Sequence, residues 1–393
     1  MDTVSGTAWR PAARVRGMGT SIFTEMTELA RATGAVNLGQ GVPELASPPA
    51  LLRDVADAVL AGANQYPPAA GVPALREAVA AHQLRRYGLA HDPATEVLVT
   101  TGATEALAAS VLAVCDPGDE IIAFDPCYDA YAADARLAGA TLVGVALATD
   151  GDGFLLDPDA LRAAVTPRTR ALILNTPHNP TGKVFTQAEL AAVAEVCREH
   201  DLTVITDEVY EHLVYAGLPH LPVSALPGMR ERTLTVSSAG KTFNTTGWKV
   251  GWVCGPAPLV AAVSAAKQFL TYASGTPYQG ALARALGSVE EWAAGLRGEL
   301  RANRDVLTEG LKAAGLRPFR ADAGYFVQAD VRPAGYEDGV EFCRDLPGRV
   351  GVVAIPTSAF QVVAGPRWLV RFSFCKKRET LDDAVSRLQR LGA

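Results

Sequence analysis

The chain has 393 residues, of which 49% are apolar and 20% charged, with a net charge of -6. This is ordinary for a globular enzyme with one large domain and a smaller one, and its acidic balance leaves no basic footprint for a nucleic-acid partner. No apolar run reaches the length of a membrane span.

The first residues, MDTVSGTAWRPAARVRG, lack the apolar core and cleavage site of a secretory signal. Cys115, Cys127, Cys197, Cys254, Cys343 and Cys375 are scattered without a C-x-x-C pair, which reads as reduced thiols in the cytoplasm. The six histidines form no H-E-x-x-H and no Cys/His cluster, so the pattern supports no metal site.

Val97 to Thr100 reads as a strand and Thr104 to Cys115 as an Ala/Leu-rich helix. Glu120 to Phe124 is the next strand and Asp129 to Leu137 the next helix. Thr141 to Leu147, Arg170 to Leu174, Thr203 to Thr206, Thr233 to Ser237 and Val250 to Cys254 are further short apolar strands, with helices at Ala188 to Glu199 and Pro258 to Leu270. Strands apolar on both faces and separated by helices imply a largely parallel sheet covered on both sides. Ala281 to Gly315 then reads as one long helical stretch. Gly324 to Val331, Val350 to Ile355 and Trp368 to Phe374 read as strands, and Leu381 to Leu391 as a closing helix. That α+β arrangement places a domain boundary near residue 285.

In open α/β sheets ligands gather beyond the carboxyl ends of the strands, and the unusual residues of this chain fall there. Thr101-Gly102-Ala103-Thr104 is a glycine turn opening a helix. It suits a phosphate, or serves turn geometry alone. Tyr128 follows the next strand and could lie over a ligand or simply pack. "NTPHNPTGKVF" (175–185) is a polar loop carrying Asn179. Asp207 ends the strand of "ITDEVYEHLVY". It is either an N-cap of a following helix or an anion facing a cation, and Tyr210 would point the same way if a helix has started.

"SSAGKTFNTTGWKVGW" (237–252) contains Gly240-Lys241-Thr242, but Thr235 stands where a phosphate-binding G-x-x-x-x-G-K-[ST] loop needs its first glycine. Lys241 instead reads as a reactive amine on the turn after a strand, with Ser238 before it and Lys249 after it. One cofactor accounts for the set. Pyridoxal 5′-phosphate needs a lysine for the Schiff base, a carboxylate for its ring nitrogen, donors to its phenolate oxygen, a phosphate cup and a stacking ring.

With "NLGQGVPE" (37–44), "NQYPP" (64–68), "VTTGATEA" (99–106), "DPCYDAY" (125–131) and "LVRFSFCK" (369–376) added, the chain resembles the class I/II, fold-type I aminotransferases over nearly its whole length. Within them it is most similar to the kynurenine/methionine/N-succinyldiaminopimelate aminotransferase subgroup. The resemblance implies an α/β fold with a large domain of mostly parallel sheet and a smaller α+β domain. Residues 1–45 would go with the small domain, 46–285 would form the large domain and 286–393 the small one.

It also implies a cytoplasmic homodimer with shared active sites. This would move an amino group between an L-amino acid and a 2-oxo acid by way of pyridoxamine phosphate. Lys241 would form the Schiff base and Asp207 pair with the ring nitrogen. Asn179 and Tyr210 would bond the phenolate oxygen, and Tyr128 would stack on the ring. Ala103, Thr104, Ser238 and Lys249 would hold the phosphate, with Tyr66 reaching it from the partner subunit. Arg371 would fork onto the substrate α-carboxylate, helped by Asn179 and the backbone of Gly41, and Phe23 would line the side-chain pocket. Val42-Pro43-Glu44 stands where the family commonly has Phe-Pro-Asp, Phe360 to Arg367 is short, and Ser274-Gly275 replaces bulkier residues. These departures border the substrate pocket and leave the donor open among acidic, aromatic and thioether side chains. A C–S lyase shares the scaffold, and a cofactor-sensing regulatory module is a further alternative, although only about forty residues precede the first motif.

Overall fold

The computed structural model describes residues 10–16, 18, 22–215 and 217–391. Seven strands form the main sheet in the order Val97–Thr100, Gly251–Cys254, Thr233–Ser238, Thr203–Asp207, Thr169–Asn175, Glu120–Asp125, Thr141–Ala146. Only Gly251–Cys254 runs against its neighbours; the other adjacent pairs are parallel. Period-two alternation splits the apolar strands between two cores, as a sheet covered on both faces requires. Ile121, Ile173 and Ile205 enter one cluster with helix Gly102–Val114, while Ile122, Leu172 and Val204 enter another with helix Gln187–Glu199. That second helix starts on a reciprocal cap in which Thr186 and Glu189 satisfy each other's backbone N–H groups.

A second, antiparallel sheet runs in the order Arg317–Pro318, Phe326–Asp330, Leu369–Ser373, Ile355–Pro356. The single strand expected over 350–355 is two. Val352–Val353 pairs with Val36–Asn37, and Ile355–Pro356 joins the antiparallel sheet. Helix Ile22–Thr33 places Met26 in the same apolar cluster as Leu346, Phe372 and Leu388.

The long helical stretch is likewise broken. Thr276–Ala285 and Val289–Ala313 are separated by a 3₁₀ turn at Leu286–Ser288, where Gly287 and Ser288 weaken the helix. The closing helix starts earlier than the apolar pattern suggests, at Arg378, because an Arg378–Asp382 pair supports its charged first turn.

The antiparallel strand presses the glycine turn into place. A Cβ on Gly251 would lie 2.7 Å from the carbonyl carbon of Gly102 and 2.8 Å from the Ala103 nitrogen. Both are backbone atoms that cannot rotate aside. Gly251→Ala is therefore expected to lose about 1–3 kcal/mol in urea unfolding; an unchanged midpoint would show that the turn is not held this tightly.

Candidate active site

Strand ends converge on a cleft of about 150 Å³ lined by Ala103, Thr104, Tyr128, Asn179, Asp207, Tyr210, Ser238, Lys241 and Lys249. All nine were singled out from sequence. Asp207 closes strand Thr203–Asp207 and is 5% exposed. No helix follows it; residues 208–213 run through turns, so the N-cap reading fails. Its carboxylate instead accepts from the Tyr131 hydroxyl at 2.7 Å and, more weakly, from the Val209 N–H at 3.4 Å. Burial pushes its pKa up to about 6. A carboxyl so placed at the floor of a cleft calls for a cation.

Asn175 fixes the neighbouring loop, donating to the Asp207 carbonyl at 2.8 Å and accepting from the Asn179 N–H at 2.6 Å. Lys241 sits on the short helix Ala239–Thr242, entered through Ser238, whose hydroxyl caps the Gly240 N–H at 3.1 Å. Opposite, helix Gly102–Val114 directs its free N–H end into the cleft. Lys249, in the left-handed conformation at φ 53°, extends Nζ to within 3.0 Å of Thr104 Oγ1. Its pKa is lowered by burial and by Lys241. An anion cup, a carboxylate and an amine thus surround one small space, with Tyr128 in its lining. The buried carboxylate and the uncapped N–H end of helix Gly102–Val114 fit the ring nitrogen and phosphate of pyridoxal phosphate.

Arg371 lies outside this lining but is joined to it. From the middle of strand Leu369–Ser373 it donates to Asn179 Oδ1 at 3.1 Å and to the Gly39 carbonyl at 3.0 Å. Its guanidinium stacks 3.8 Å over Phe326 and 4.4 Å over Phe360, and burial lowers its pKa to about 10, so it stays charged. Its Nε is buried without a partner, a donor aimed at nothing the protein supplies. Phe23 stands 5.6 Å from the guanidinium and edge-on to Phe360 at 5.4 Å. The carbonyl of Gly41 faces Tyr325, at 3.2 Å, and the one that meets Arg371 is Gly39's. Tyr66 is not brought in: it is 82% exposed and rests on Tyr272.

Two tyrosines escaped the sequence reading. Tyr131 orients Asp207, and Tyr325 accepts from Lys241 Nζ at 2.7 Å. Neither sits in a spacing pattern, although Tyr131 is part of "DPCYDAY". His82, Glu211 and His212 also meet, buried, behind the cleft. Both Glu211 oxygens are already engaged, by Ser237 and by Tyr87 with His82, so this cluster reads as a hydrogen-bond knot.

The chain has extensive matches among known proteins. The family model for aminotransferase class I and II matches residues 33–388. The structure of N-succinyldiaminopimelate aminotransferase from Mycobacterium tuberculosis superposes with a TM-score of 0.95 at 53% identity, covering 97% of this chain and 100% of that one. The methionine aminotransferase of Escherichia coli is 42% identical over 381 residues, 97% of this chain and 98% of its own. Kynurenine–oxoglutarate transaminase 3 of Mus musculus is 39% identical over 405 residues, 96% of this chain and 89% of its own.

The raised pKa of Asp207 has a measurable sign. Without cofactor, the folded chain holds a proton between about pH 4 and pH 6 that the unfolded chain has released. This contribution to stability is present at lower pH and is lost as pH rises through about 6. Urea midpoints of the cofactor-free protein should show that decline, and Asp207→Asn should flatten it; parallel curves would contradict the burial argument.

Proposed function

We propose, for a chain that belongs to the class I and II aminotransferase family and is an aminotransferase, that the cleft between Asp207, Lys241 and Arg371 is where an L-amino acid and a 2-oxo acid exchange the amino group. Enzymes of this family use pyridoxal 5′-phosphate. When bound, it supplies an electron-accepting ring that eases breakage of the bond between Cα and hydrogen. The observation that carries the placement is the buried carboxylate of Asp207 in the same cleft as the Lys241 amine.

The chain's own groups then divide the work. Asp207 would hold positive charge on the ring nitrogen, and the Tyr131 hydroxyl fixes the Asp207 carboxylate. Asn179 and Tyr210 would bond the cofactor's phenolate oxygen, and Tyr128 would pack on its ring. The N–H groups at Ala103, with Thr104, Ser238 and Lys249, hold the phosphate. Lys241 Nζ would hold the cofactor and, as a free amine, would take the Cα proton of the substrate. Arg371 makes two parallel bonds to the substrate carboxylate, for which its unpaired buried Nε is available. Phe23 and Phe360 wall the side chain and exclude water. On this reading residues 46–285 carry the cofactor, while residues 1–45 and 286–393 bring Gly39, Phe23 and Arg371.

A homodimer is part of the reading. Tyr66, Phe269, Leu270 and Tyr272 are 82%, 84%, 48% and 46% exposed. Thr271 and Ser274 hydrogen-bond Thr101 on the rim of the glycine turn, which puts this apolar face beside the phosphate cup. A partner seated there would cover the face and offer its own Tyr66 to that phosphate. Six buried free cysteines support a cytoplasmic setting.

For the donor, N-succinyldiaminopimelate is the first proposal, supported by the 53% identical relative of that name. The apolar Phe23–Phe360 wall favours a second reading, a thioether or aromatic amino acid. A screen of amino donors, following 2-oxo acid formation, tests both. Equal turnover of N-succinyldiaminopimelate and alanine would remove the first, and ammonia with pyruvate as products would point to lyase chemistry instead. Lys241→Ala is expected to abolish turnover. Arg371→Ala should cost roughly 2–5 kcal/mol in kcat/KM for every carboxylate substrate, with Arg371→Lys recovering only part. A loss confined to acidic donors would make Arg371 a side-chain selector.

A further inference from the structure

Tyr325 is a polar group of this site that the exchange described above does not use. It is 2% exposed and directly precedes strand Phe326–Asp330. Its hydroxyl is a three-way node. Without cofactor it accepts from Lys241 Nζ at 2.7 Å and from the Tyr210 hydroxyl, whose one proton would turn to the phenolate oxygen once cofactor is bound, and it donates to the Gly41 carbonyl at 3.2 Å. A phenolic oxygen has one proton and two acceptor sites, so the node is complete. Burial holds the phenol far above its ordinary pKa, and its proton is committed to a peptide carbonyl. Tyr325 therefore has no proton to trade, and whatever it contributes is geometric.

We infer that Tyr325 is a positioning residue that anchors the free amine of Lys241 between its two duties, holding cofactor and moving the substrate proton. The inference rests on the aminotransferase reading above. With one N–H directed at Tyr325, the lone pair of the neutral amine is turned away from the tyrosine and left for the Cα hydrogen. After that proton has been taken, the ammonium keeps the same anchor, so the nitrogen does not swing away on its long stem. A lysine stem has four rotatable bonds, and an unanchored amine would spread over many rotamers.

The surroundings hold the anchor itself. The Tyr325 ring is edge-on to Tyr210 at 5.2 Å and packs on Phe326 at 4.8 Å. Gly41 approaches so closely that a Cβ there would lie 2.8 Å from the Tyr325 ring and 2.5 Å from that of Phe326. A glycine at 41 is thus what lets the N-terminal segment reach the hydroxyl. Because Gly41 lies two residues from the carbonyl that grips Arg371, one short segment supports both the amine anchor and the carboxylate site.

Tyr325→Phe removes the hydroxyl and keeps the ring. In the cofactor-free variant, added pyridoxal phosphate should bind to the same extent, but the visible absorbance of cofactor joined to Lys241 should develop about tenfold more slowly or worse. In the loaded enzyme kcat should fall roughly 10- to 100-fold with donor KM nearly unchanged. Deuterium at the donor Cα should slow the variant more than the parent. Gly41→Ala displaces the ring without removing the hydroxyl and serves as a second variant, with the same slowed uptake expected. Uptake and kcat at the parent's values in a folded variant would overturn the inference, as would a loss confined to KM or to cofactor retention. A parent that exchanges no amino group with any donor overturns the reading beneath it, whereas an active parent with unaffected variants overturns the role of Tyr325 alone.

Discussion

A carboxylate held out of water has to be met by charge or by hydrogen bonds, and Asp207 has only a tyrosine hydroxyl and one long N–H contact. That deficit sets the direction of the whole site. The parallel strands deliver Asn175 and Asp207 in register as neighbours, so the loop carrying Asn179 is tied to the backbone of the same residue that supplies the anion. Strand Thr233–Ser238, next in the sheet, delivers Lys241 a few residues past its end. Acid and amine therefore stand side by side because of sheet topology, not because of proximity in sequence.

The second constraint is that three cations share the cleft region. Lys241, Lys249 and Arg371 would repel one another in a low-dielectric space, and each is controlled differently. Lys249 is only partly withdrawn from water and directed at Thr104; its pKa falls through burial and its neighbour Lys241. Arg371 is sandwiched by Phe326 and Phe360 and stays charged although burial lowers its pKa to about 10. Lys241 finds an uncharged oxygen, that of Tyr325. A phosphate, a ring and a substrate carboxylate would each meet one of the three, giving a polarity along the cleft that only one orientation of a bound amino acid satisfies.

The sheet and the cofactor end of the site were legible because they are carried by local patterns. Apolar runs mark the strands, and Gly102, Asp207 and Lys241 stand out against them. The resemblance to aminotransferases then supplied roles for Arg371 and Phe23 that no spacing implies. What escaped depends on long-range packing. Tyr325 meets Lys241 from 84 residues away in sequence, and Tyr131 meets Asp207 from 76. The turns after Asp207 resemble a helix start on paper, but Val209, Tyr210 and Leu213 are drawn into the apolar cluster that also holds Tyr325 and Phe374, which overrides the local preference. The His82–Glu211–His212 knot joins a helix to those turns, so no ligand-like spacing announces it.

On the proposed function Lys241 is the lysine that carries the cofactor, and one chemical experiment tests this without relying on turnover. Protein loaded with pyridoxal phosphate is treated with borohydride, which makes the link between cofactor and lysine permanent, then digested and mapped by mass spectrometry. Cofactor is expected on the Lys241 side chain and none on that of Lys249. Label on Lys249, or label spread over surface lysines with Lys241 unmodified, would contradict it.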